Sequence, residues 1–175
     1  EVAEAQYNLG IMYHDGLGVP QDDKEAVKYY KLAAEQGLDA AHVNLGVMYR
    51  EGKGVPQDYK AAFKYFKLAA EQGLADAQYN LGAMYREGQG VSQDDKAAVK
   101  WYKLAADQGF EQAQFNLGAM CLEGLGVRQD DKAAFKYFKL AAEQGLAEAQ
   151  NNLGSMHHQG LGVPQDDKEA VKYFT

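Results

Sequence analysis

One cysteine, one tryptophan and three prolines are scattered through 175 residues. The lone thiol, Cys121, excludes an internal disulfide framework and a cysteine-rich metal site. Long hydrophobic runs are also missing: none approaches the roughly 20 residues that span a bilayer, so no membrane insertion is expected. Positive charge is in deficit, with 18 Lys plus Arg against 25 Asp plus Glu and a net charge of -7. That balance argues against a general affinity for nucleic acid or anionic lipid. No segment alternates apolar and polar residues over a useful length, so strands are not expected. The opening "EVAEAQYN" matches the later "GLAEAQNN" and does not read as a signal peptide.

What the chain does have is repetition. At a period of 36, Ala5, Ala41, Ala77, Ala113 and Ala149 align, each followed by Asn, Leu-Gly, Met, Gly-x-Gly-Val and Gln-Asp-x-Lys. The repeats fall at 5–40, 41–76, 77–112 and 113–148, with a partial copy at 149–175. A fixed period of this size indicates a solenoid, in which each unit buries its apolar face against its neighbours. Both ends fall inside the pattern, which predicts one repeat domain, 1–175, cut from a longer protein.

Within a copy, Ala5, Leu9, Met12 and Tyr13 recur at i, i+4, i+7 and i+8, the spacing of one helix face. This is helix A. Gly16 and Gly18 end it, and "GVPQD" leads to Asp22, whose carboxylate is placed to cap a second helix. Helix B carries Ala26, Tyr30, Ala33 and Ala34 and ends at Gly37, a residue suited to a left-handed C-terminal position. The fold class expected is therefore all-α, one helical hairpin per repeat. Gly10, Ala26 and Ala33 let helices approach closely, while Leu9, Met12 and the aromatics at 29 and 30 fill the remaining space.

The pattern A-x-x-N-L-G-x-M-Y-x-x-G-x-G-V-x-Q-D-x-K-x-A-x-K-Y-Y-K-L-A-A-x-Q-G resembles the Sel1-like repeat, a relative of the tetratricopeptide repeat, over the whole chain. The resemblance implies a right-handed α-solenoid acting as an adaptor or scaffold for protein complexes, with helix A lining the concave side. Disulfide-rich members of that family are associated with β-lactam binding or hydrolysis. Their paired cysteines have alanine at the matching places here, so that activity is not carried over.

Three positions per copy stand opposite Leu9 and Met12 by the 100° per residue rule. The stripe reads Tyr7, Ile11, His14; Val43, Val47, Arg50; Tyr79, Ala83, Arg86; Phe115, Ala119, Leu122; and Asn151, Ser155, His158. Apolar residues turned from the core, differing between copies, are expected to form a recognition surface for a protein or peptide. Asn8, Asn44, Asn80, Asn116 and Asn152 would flank it as a ladder of amides able to hold a peptide backbone. The alternative is that these amides bond to neighbouring helices and the stripe packs against the next helix A. Tetratricopeptide carboxylate clamps use Lys and Arg at inner positions where this chain has Tyr, Val, Phe, Ala and Asn, so a clamp for an acidic tail is not expected. Arg50 and Arg86 leave room for one acidic group on the ligand.

Fourteen of the 18 basic residues repeat along helix B, from Lys24, Lys28 and Lys31 to Lys168 and Lys172. Acidic neighbours accompany them and no stacking aromatics interleave, so the ridge reads as a solvated face rather than a nucleic-acid track. The four histidines do not converge and none has an i+4 ligand partner, so neither a metal nor another cofactor is expected. Cys121 replaces a tyrosine at a core position and reads as a buried thiol. The "GLGVPQD" loops lack the lysine and hydroxyl of a phosphate loop. Catalytic residues are expected to be absent. A protein-binding adaptor is thus the first functional reading; a structural spacer, or a segment that self-associates through its ends, is the second.

Overall fold

The computed structural model describes residues 1–174; Thr175, which closes the partial fifth repeat, lies outside them. Among the described residues there are ten α-helices and no strand, arranged as two compact units divided between Gln93 and Asp94. The first holds α1 (Val2–Asp15), α2 (Asp23–Glu35), α3 (Asp39–Glu51), α4 (Tyr59–Glu71) and α5 (Ala75–Glu87). The second holds α6 (Asp95–Asp107), α7 (Glu111–Glu123), α8 (Asp131–Glu143), α9 (Ala147–Gln159) and α10 (Asp167–Phe174). Odd-numbered helices are helix A of each repeat and even-numbered ones helix B. Inside each unit, helices consecutive in the chain pack on one another.

Local chemistry accounts for each boundary. The carboxylates of Asp22, Asp58, Asp94 and Asp130 accept hydrogen bonds from the first-turn amides of α2, α4, α6 and α8. Helix α1 closes on Gly16 in the left-handed conformation, where the Leu17 amide reaches back to the Met12 carbonyl at 2.9 Å. Helix α2 closes the same way, with Leu38 N–H donating to Ala33 O at 3.1 Å and Gly37 N–H to Ala34 O at 2.9 Å. Both are Schellman closures, which satisfy carbonyls a bare helix end would leave unpaired. The second makes a turn so short that the B helix runs almost directly into the next A helix.

In the first, second, fourth and fifth hairpins a ring of the B helix lies against a glycine of the A helix. Phe66 is fully buried, and a Cβ placed on Gly46 would lie 2.6 Å from its ring; Tyr30 meets Gly10 and Phe138 meets Gly118 in the same manner. Alanines at 26, 33, 62, 69, 134 and 141 are completely buried around these rings. Small side chains thus set the interhelical distance and one large ring fills what is left.

One expectation changes in α1. Leu9 and Met12, assigned to the core from their spacing, are 38% and 36% exposed, whereas Leu45 and Met48 at the same places in α3 are 0% and 2% exposed. Helix α3 is packed between α2 and α4; α1 packs on α2. In α3 the face those two side chains occupy is covered by α2, the B helix before it.

Candidate functional site

The stripe along the A helices is half-buried rather than turned away from the core. Tyr7 and Ile11 pack against the cluster of Ala26, Val27, Tyr30, Leu45 and Met48. The Tyr7 ring lies 5.7 Å from that of Tyr30 and the Phe115 ring 5.5 Å from that of Phe138, both tilted. Val43, Val47, Tyr79, Ala83, Arg86, Ala119, Leu122 and Ser155 are likewise intermediate in exposure; Asn151 and His158 are exposed. The single-helix angle rule misjudged this face, because a large ring on helix B reaches beneath positions that point away from Leu9 and Met12.

In the first unit the structure draws several predicted residues together. Asn44 Nδ2 donates to the Tyr7 hydroxyl at 3.3 Å. Arg50 donates through Nη1 to Asn80 Oδ1 at 2.5 Å, lies 5.6 Å from the Phe66 ring centre and approaches Glu51 at 3.5 Å. Asn80 in turn donates to the Asp76 carbonyl at 2.8 Å. Amides at 44 and 80 therefore join neighbouring A helices, and Arg50 is committed to three partners within the protein. His14, Tyr30, Asn44, Val47 and Met48 line a small cavity of about 80 Å³ in this face. Burial of the Tyr30 phenol pushes its pKa up to about 12, against a hydrogen bond with Asn44 that lowers it, so the ring is neutral at ordinary pH.

The first and the last hairpin each make a contact of the same kind. His14 Nδ1 lies 2.6 Å from Asp23 Oδ1 and His158 Nδ1 lies 2.7 Å from Asp167 Oδ1, each pairing an A helix with the B helix of its own hairpin. In the second unit, Phe115 belongs to the packing of the fourth hairpin, and Ser155 Oγ donates to the Asn151 carbonyl at 3.1 Å. Asn8 is exposed, and Asn116 and Asn152 are half-buried.

A second set of polar residues went unnoticed in the sequence. Gln78 and Gln114 are buried and donate to the carbonyls of Ala70 and Ala106, at 3.3 and 3.2 Å, tying each A helix to the end of the B helix before it. Gln144 donates to Gln114 Oε1 at 2.8 Å. Their signal was present: Gln6, His42, Gln78, Gln114 and Gln150 occupy one column of the repeat. At His42 the column differs, and a buried ring nitrogen stands without a hydrogen-bond partner while the ring stacks 6.1 Å from Tyr65.

Cys121 is buried, and burial raises its thiol pKa, which makes it a poor nucleophile. Among the described residues no three His, Cys, Asp or Glu side chains gather as a metal-binding group, and no helix is long and apolar enough to cross a membrane. The lysines of the B helices stand mostly exposed, several beside acidic partners, as in Lys28 with Glu25 at 2.9 Å.

Comparison with known proteins fits this architecture. The Sel1 repeat family model matches residues 3–38, 39–74, 75–110, 111–146 and 147–175. Among solved structures, a protective antigen of uropathogenic Escherichia coli displaying an SLR fold is 42% identical with a TM-score of 0.96; the match covers 98% of this chain and 37% of the antigen. A Sel1 repeat protein from Oxalobacter formigenes is 35% identical with a TM-score of 0.92, over 98% of this chain and 68% of its own. Helicobacter pylori cysteine rich protein B is 25% identical with a TM-score of 0.57, over 72% of this chain and 90% of its own. Among curated proteins none matches. With its five matched repeats and these solenoid relatives, the chain belongs to the Sel1 repeat family.

Proposed function

We propose that the A-helix stripe binds a protein or peptide partner, each unit presenting its own share of the surface. Sel1 repeat proteins are generally protein-interaction scaffolds, and the fold is typically non-enzymatic. The observation that carries the reading lies in the first unit, where half-buried Val43 and Val47 flank Asn44 on α3 and Val47 lines the small cavity with His14 and Met48. Apolar side chains already partly ordered by packing lose little freedom on binding, and amides at the border can satisfy a peptide backbone. Val43 and Val47 are replaced by Tyr79 and Ala83, then by Phe115 and Ala119, while the core columns stay nearly constant. Variation along this face from copy to copy is what partner selection requires of a repeat.

The test is capture of partners by the wild-type chain beside a Val47→Lys, Arg86→Glu variant of equal helical circular dichroism. A partner retained by the first and released by the second supports the reading; equal capture by both refutes it.

A structural spacer or end-to-end assembly is the second reading, favoured by exposed Val2, Leu9 and Met12 on α1 and exposed Val171 and Phe174 on α10. It predicts a sedimentation coefficient that rises with protein concentration, and a Leu9→Lys, Met12→Lys variant that stays monomeric.

A further inference from the structure

Four of the five repeats carry a ring at one place on helix A: Tyr13, Tyr49, Tyr85 and His157. The ring sits in a cradle. Tyr13 stacks on Tyr29 with centroids 5.5 Å apart, Tyr49 on Tyr65 at 5.5 Å and His157 on Tyr173 at 5.6 Å, in each case a partner from the same hairpin. The B helix before it supplies the opposite wall: Phe63 meets Tyr85 edge-on at 5.3 Å and Phe135 meets His157 at 5.4 Å. That helix also supplies a cation, since Lys31 Nζ lies 5.5 Å from the Tyr49 ring centre.

The fourth repeat keeps the cradle and lacks the ring. Cys121 stands in its place, with Tyr137 at the stacking position, Val99 at the apolar wall and Lys103 at the position of the cation. These four residues line a solvent-open cavity of about 820 Å³, bordered by the loop through Arg128 and by Lys132 at the start of α8. Its size falls within the range of small-molecule sites. Arg128 is itself a departure, because the first, second and fifth repeats have Pro20, Pro56 and Pro164 there.

Charge narrows the class of ligand. Asp130 is occupied in capping α8, accepting from Ala133 N–H at 2.9 Å, and Asp131 accepts from Gln129 Nε2 at 3.4 Å. Lys103, Arg128 and Lys132 have no ion-pair partner among the described residues. A stacking face and three cations without ion-pair partners, against the two hydrogen-bonded carboxylates of Asp130 and Asp131, therefore surround one space with a net positive charge.

We propose that this cavity binds an aromatic ring bearing an anionic group, the ring stacked on Tyr137 between Val99 and Lys103 and the anion held by Arg128 and Lys132. The site is separate from the A-helix stripe and does not rest on the reading given to it. A free aromatic acid and an aromatic side chain flanked by acidic residues in a polypeptide share this chemistry.

The probe is 4-hydroxyphenylacetate titrated into the full chain, followed by the NMR signals of the Val99 and Val127 methyls and the Tyr137 ring. Saturable shifts with a Kd of about 1 mM or tighter are expected. Cys121→Tyr rebuilds the ring of the other repeats and should weaken binding about tenfold or more, with thermal stability no lower than wild type. Lys103→Gln with Arg128→Gln, both exposed, should weaken it several-fold while leaving the melting temperature unchanged. A Glu-Tyr-Glu peptide that binds tighter than the free acid assigns the site to a polypeptide; the reverse order assigns it to a small molecule. Absence of saturable shifts up to about 10 mM, or equal binding by Cys121→Tyr, overturns the proposal. Should Cys121→Tyr fail to fold, unchanged affinity in the double glutamine variant overturns it alone.

Discussion

Leu9 and Met12 in α1 stand more than a third exposed, while Leu45 and Met48, the same two letters one repeat later, are sealed in the core of the first unit. The hairpins α1–α2 and α3–α4 are built from nearly one sequence, so the difference lies in the surroundings: α3 has a B helix on each side. A repeat's apolar face is completed by its neighbour, and the stability of any one residue depends on which repeat it occupies.

The largest effect should break this pair apart. Leu45→Ala removes a fully buried side chain and is expected to cost about 2–5 kcal/mol, whereas Leu9→Ala should cost under about 1 kcal/mol. Parallel urea melts of the two variants measure the difference; equal losses would mean that α1 is covered in solution.

A titration sharpens the comparison of the same two hairpins, because the first has Tyr30 where the second has Phe66. Burial raises the Tyr30 pKa from 10 to about 12, so the folded protein holds the phenol proton more tightly than the unfolded chain. That contribution is intact below pH 10 and is lost as pH rises toward 12. Its full size is about 2–3 kcal/mol by linkage. Tyr30→Phe should flatten that part of the alkaline decline in stability, and an unchanged slope would show that the phenol is not desolvated.

Glycines test the ring contact in a second way. A Cβ on Gly46 would come within 2.6 Å of Phe66, while one on Gly118 would lie 3.0 Å from Phe138. Gly46→Ala should therefore lose about 1–2 kcal/mol through overpacking. Gly118→Ala should stay near neutral, the tighter fit being offset by the roughly 1 kcal/mol that alanine gains over glycine inside a helix. Thermal melts of both separate the two glycines.

The sequence carried most of the fold on its face. Period, glycine and aspartate placed the hairpins and their caps, because these depend on contacts within a few residues or repeated identically in every copy. It misjudged what depends on neighbours. Leu9 looked like Leu45, since nothing in a 36-residue pattern tells a covered face from a bare one. The stripe at Tyr7 and Phe115 looked free because a helical wheel omits the rings of Tyr30 and Phe138. Cys121 was legible as a replaced tyrosine, but not as an opening, because the cradle is made by Val99 and Lys103 from one helix and Tyr137 from another. A binding surface depends on a partner's shape as well as on the chain, whereas a helix cap is encoded within a few residues.

The smallest effect concerns the two kinds of helix start. Helix α4 begins at Asp58, whose Oδ1 accepts from Lys60 N–H at 2.9 Å and Ala61 N–H at 3.0 Å, whereas α3 begins at Leu38 with no side-chain cap. The seven-residue loop before a B helix gives its first amides no other protein partner, so the carboxylate has to supply one. At α3 the Ala41 N–H, an amide that a cap would serve, already donates to Leu38 O at 3.0 Å, and Leu38 is held in place by the Schellman closure of α2. Asp58→Ala should thus cost about 1 kcal/mol, and Asp58→Asn only a few tenths, since the amide oxygen accepts the same bonds. At Leu38 an Asp substitution should destabilise rather than help, because it removes apolar packing from a turn where the Ala41 amide is already met by a carbonyl. Chemical denaturation of the three variants reads both halves, and a stabilising Leu38→Asp would mean that the two starts differ in sequence alone and not in how the preceding helix ends.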